Sequence, residues 1–76
     1  MTVTSAAAAQ RSLDEVERMA AQMTRFPDLA QQRRWAIERV RVIADDEYLD
    51  PTAARRQIRN VLAGLDLAEQ RRRADR

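Results

Sequence analysis

Arginine and carboxylate supply nearly all the ionic chemistry open to this sequence. Its fourteen cationic side chains are all arginine, set against twelve Asp and Glu, and the 76 residues contain no histidine, lysine or cysteine. Missing with them are the usual base near neutral pH, the thiolate nucleophile and metal ligand, and the amine of Schiff-base catalysis. The carboxylates stand where helix ends and polar faces are expected, and nothing in their spacing sets two of them in one apolar pocket with separated pKa values. The chain therefore reads as non-enzymatic, with no catalytic residue, no metal site and no cofactor. What arginine does well is grip: its planar fork of donors suits carboxylate and phosphate. Codon bias in a GC-rich genome also yields arginine and alanine, so the position of each arginine has to carry the argument.

Those positions are uneven. Residues 1–27 carry three arginines against Asp14, Glu15 and Glu17, a net of zero. Residues 28–50 carry four against six acids, a net of −2, and residues 51–76 carry seven against Asp66, Glu69 and Asp75, a net of +4. Arg55, Arg56 and Arg59 precede a basic tail of Arg71, Arg72, Arg73 and Arg76. Phosphate contact with nucleic acid, or pairing with an acidic partner, is one use of such a surface. Reading DNA with the start of the third helix is disfavoured, because Asp45, Asp46, Glu47 and Asp50 lie beside it and repel phosphate.

The elements that hold these residues are helical. One glycine and two prolines argue against a turn-rich β fold. Residues 1–10 are small, mostly uncharged and without hydrophobic period, and are expected to be frayed or loosely helical, ahead of a single helical domain over residues 11–76. Ser12 to Glu15 has the form of a capping box. Leu13, Val16, Met19, Ala20, Met23 and Phe26 then recur at helical spacing, which predicts a helix over about 13–25. Pro27 interrupts it, and Asp28 with Gln31 starts a second helix over about 29–46, whose main apolar stripe is Leu29, Ala36, Ile37, Val40, Ile43 and Ala44. Three consecutive acids, Asp45 to Glu47, oppose the dipole at its end and mark a turn. Asp50-Pro51 is an N-cap followed by a first-turn proline.

A third helix over about 51–72 then carries Ala54, Ile58, Val61, Leu62, Leu65 and Ala68 on one face. That face continues through Gly64, which favours one long helix; the alternative is a stop at Gly64 and a fourth helix capped by Asp66. The fold class is all-α, a three-helix bundle or a helical hairpin with an additional arm.

A chain this short buries only about 60% of its unfolded surface, so an outside partner or a second copy is the simplest supplement to its core. The second helix offers a surface for one. Trp35, Val42 and Leu49 repeat every seven residues, roughly opposite the main stripe, and with Tyr48 they are the candidate protein interface. The leading expectation is a small bacterial cytoplasmic adaptor or regulator that binds another protein or itself. A nucleic-acid accessory protein using Arg55, Arg56, Arg59 and Arg71 to Arg73 is the alternative, and a structural part of a phage or secretion assembly is a further one. No apolar stretch is long enough to predict a membrane span.

The stretch from Arg39 to Leu62, and within it Ile43-Ala44-Asp45-Asp46-Glu47-Tyr48-Leu49-Asp50, resembles in outline the C-terminal half of flagellar anti-sigma factors: a helix ending in isoleucine, a small loop with tyrosine, then an aspartate and a further helix. The loop glycine of that pattern is missing here, and the tyrosine-to-aspartate spacing is one residue short. The resemblance implies a protein partner gripped by the second and third helices.

Overall fold

The computed structural model describes residues 2–75. Among them are three α-helices and no strand: α1 (Thr2–Met23), α2 (Leu29–Ala44) and α3 (Pro51–Ala74). The all-α bundle expected from the sequence is the fold observed.

Local signals account for most of the boundaries. The Asp28 carboxylate accepts from the Gln31 amide at 2.8 Å, capping α2. Asp50 accepts from the amides of Thr52 and Ala53 at 3.0 and 3.1 Å, while Pro51 fills a position whose amide would have had no helical partner. In the acidic turn Asp46 accepts from the Tyr48 amide at 3.0 Å, a side-chain turn that closes the link between α2 and α3. Helix α2 ends at Ala44 with Asp45 as its C-cap, slightly short of the expected Asp46.

Two expectations about extent are revised. Helix α1 starts at Thr2 rather than near Leu13, so Ser12 and Glu15 lie inside a helix and form no capping box. The alanines from Ala6 to Ala9 are the cause: they have no amphipathic period, yet alanine has the highest helix propensity and extends a helix already anchored further along. Helix α3 runs unbroken through Gly64, as the continuous apolar face predicts, and reaches Ala74.

Helix α3 is the shared element, packing along both α1 and α2, while α1 and α2 touch each other little. Asn60 reaches Glu15, Gly64 abuts Met19, and Arg72 reaches Phe26, so α1 and α3 run parallel. Arg33 meets Glu69, and Ile43 and Ile58 line one shallow recess, so α2 runs antiparallel to α3. The Cα atoms span only 13 Å in the thinnest direction. So thin an arrangement makes a small core: Ala20, Met23, Ala36, Ile43, Val61 and Ala68 are its buried apolar residues.

Close approach of α1 to α3 depends on small residues. A Cβ placed on Gly64 would stand 2.6 Å from the Met19 Cβ and 3.3 Å from both the Ala20 nitrogen and the Val16 oxygen. Only hydrogen fits at that crossing, which explains why a glycine is held inside a helix at a propensity cost of about 1 kcal/mol relative to alanine.

Candidate interaction surface

Helix α2 places its predicted interface residues differently from one another. Trp35 is half-buried, packed on the core edge with its ring centroid 6.4 Å from that of Phe26 and tilted by 44°. It flanks an open groove between α1 and α2, whose other walls include Met19, Gln22 and Arg39. Leu49, just beyond the helix, is also half-buried against the core. Val42 and Tyr48 face solvent, 64% and 97% exposed. The seven-residue repeat thus brings Trp35 and Leu49 into the packing of the chain itself and leaves Val42 and Tyr48 outside.

Four residues assigned to the inner stripes prove to be outside. Ile37 and Leu62 are 53% and 50% exposed, and Ala44 is exposed as well. Each lies at the edge of an apolar arc, and in so thin a bundle only the centre of the arc is covered. The centre of α2 is held by Gln32, Ala36 and Ile43, and that of α3 by Asn60, Val61, Gly64 and Ala68. Leu13, expected on the inner face of α1, is also exposed. Counting from the Arg33–Glu69 pair along antiparallel helices sets Ile37 level with Leu65 and Leu62 level with Val40. Half-exposed Ile37 and Leu62 therefore lie at similar heights along adjacent helices.

Burial of Gln32 and Asn60 was not foreseen. The Asn60 amide donates to Glu15 at 3.2 Å and ties α3 to α1. Gln32 is fully buried and neither its amide nitrogen nor its oxygen has a partner among the described residues. Both residue types are usually exposed, so hydropathy alone gave no sign of their burial.

The basic residues divide into engaged and free. Arg71 pairs with Glu17 at 2.6 Å. Arg72 reaches across to the loop joining α1 and α2, donating to the Phe26 carbonyl at 2.6 Å and the Pro27 carbonyl at 3.1 Å. Arg72 thus satisfies two backbone acceptors near the end of α1 and acts as a strap between that loop and α3. Arg55, Arg56, Arg59 and Arg73 are exposed and make no ion pair among the described residues. Arg76 lies outside the described residues. The structure does not bring the arginines of the third helix together as one free surface: two of the tail residues hold the fold.

Among the described residues no three acidic side chains converge to hold a metal ion, and no helix is long and apolar enough to cross a membrane. No family model, no curated protein and no solved structure matches this chain.

Proposed function

We propose that this chain is a small non-enzymatic helical adaptor or regulator that acts by protein–protein contact, self-association included. One observation carries the reading: among the described residues, the large apolar side chains left half or more exposed, Leu13, Ile37, Val42, Tyr48 and Leu62, outnumber those more than nine-tenths buried, Met23, Ile43 and Val61. Around those three, side chains such as Ile58, Leu65 and Leu67 are only partly buried, and covering the exposed set with another surface adds apolar burial at about 25 cal/mol per Å². Val42 and Tyr48 are the residues of α2 and its turn available to a partner, while Trp35 and Leu49 pack against the core. The experiment is a photo-crosslinking side chain in place of Val42 or Tyr48 in living host cells. Discrete protein adducts are expected at one or both positions; a folded, abundant chain with no adduct at either contradicts the reading.

Nucleic-acid contact is the second reading, supported by the absence of ion-pair partners at Arg55, Arg56 and Arg59 among the described residues. Arg71 and Arg72 are committed elsewhere, which leaves it fewer phosphate contacts. It predicts retardation of duplex or single-stranded nucleic acid that weakens steeply with salt, and no retardation at low ionic strength removes it.

A further inference from the structure

The side of α3 turned away from α1 and α2 is marked by the exposed residues Arg55, Arg59, Leu62, Asp66, Gln70 and Arg73. They recur at steps of three and four, so they form one stripe along the helix. Neither Arg59 nor Asp66 has an ion-pair partner among the described residues. Their order along the stripe is self-complementary. Leu62 lies near the midpoint between Arg59 and Asp66, and Arg55 and Gln70 are spaced about that same midpoint.

We infer that this stripe is the interface of an antiparallel homodimer, with a two-fold axis passing beside Leu62. The inference rests on the protein-contact reading above and names a second copy of this chain as the occupant. A two-fold contact is isologous, so every match occurs twice. Arg59 of one copy faces Asp66 of the other, Arg55 faces Gln70, and Arg73 reaches towards the acidic turn at Asp50. The Asp50 oxygen Oδ2 caps α3 and its Oδ1 makes no hydrogen bond within the described residues. Half-exposed Leu62 meets Leu62 at the centre. Antiparallel alignment also opposes the two α3 dipoles.

Charge order selects this arrangement over its alternative. Parallel pairing in register would set Arg55, Arg59 and Arg73 each against its own copy, and like charges across an interface are a strong penalty. An acidic partner of another kind would match the arginines and leave Asp66 opposed to its own sign. A second copy satisfies both signs at once.

Sedimentation equilibrium on the full chain and three variants tests this. The wild type is expected to self-associate. Arg59→Asp and Asp66→Arg should each weaken the dimer by about tenfold or more, since each replaces two attractions with two repulsions. The double variant Arg59→Asp with Asp66→Arg restores the pair with its signs exchanged and should recover wild-type association. Both positions are exposed and without an internal ion pair, and helical circular dichroism checks that each variant folds. A wild type that stays monomeric at every concentration overturns the inference, as do single variants that associate unchanged or a double variant that fails to recover. Photo-adducts with another protein at Val42 or Tyr48, found with a strictly monomeric chain, would overturn the dimer and leave the protein-contact reading standing.

Discussion

Towards the other helices α3 presents Asn60, Val61, Gly64 and Ala68, all buried, while its opposite side presents Arg55, Arg59, Leu62 and Asp66 to solvent. The inner side is fitted by shape: one residue larger than glycine at the crossing with α1 meets the Met19 Cβ at 2.6 Å. The outer side is fitted by the order of its charges around one leucine. Shape fixes which helix can lie against α3 inside the chain, and it tolerates little change. Charge order leaves the fold untouched when altered and governs what can approach from outside. The two sides should therefore respond to mutation in opposite ways, the inner in stability and the outer in association.

The largest expected effect is at the crossing. Gly64→Leu should destabilise by about 3 kcal/mol or more and Gly64→Ala by about 1–3 kcal/mol, because the obstruction there outweighs the gain in helix propensity. Urea unfolding followed by circular dichroism measures both, and a stabilised Gly64→Ala would show that the close approach does not constrain the fold.

Next is Arg72, the strap on the loop between α1 and α2. Arg72→Met keeps much of the aliphatic stem but leaves the Phe26 and Pro27 carbonyls without their donor, and a loss of about 1–3 kcal/mol is expected in the same unfolding measurement. An unchanged midpoint would mean that water replaces the guanidinium without loss.

Gln32 predicts a change of the opposite sign. Its buried amide is unpaired, so Gln32→Leu should stabilise by about 1–2 kcal/mol and raise the unfolding midpoint. Destabilisation by that change would point to an ordered water satisfying the amide.

Smallest is the exposed pair of Arg71 and Glu17: Arg71→Gln should cost less than about 1 kcal/mol. A larger loss would place Arg71 with the inner side of the comparison rather than at its rim.

Much of the scaffold was legible in the sequence because caps and breakers are local. Asp28 after Pro27, and Asp50 before Pro51, start α2 and α3 where they were expected, and the apolar face through Gly64 gave one continuous helix. The first half of α1 was not legible, since an alanine run has propensity without period. Inner and outer residues were only partly separable. Ile37 and Leu62 have the hydropathy of core residues, and Gln32 and Asn60 that of surface residues, yet their places are exchanged. Which part of an apolar arc is covered depends on how many helices surround it, and that number is a tertiary property. Arg71 and Arg72 were visible as basic residues, but their partners at Glu17, Phe26 and Pro27 are distant in sequence. The self-complementary order of Arg55, Arg59, Asp66 and Gln70 lies in the sequence, and it acquires meaning once the free side of α3 is known.

The most direct test of that free side is a pattern of cysteine crosslinks, made simple by a chain that contains no cysteine. Under oxidation Leu62→Cys should form a disulfide-linked dimer, because the two-fold axis passes beside it. Arg73→Cys should not, since its two copies lie roughly 30 Å apart in an antiparallel pair at 1.5 Å rise per residue. Efficient crosslinking at Arg73 with none at Leu62 would contradict the antiparallel interface.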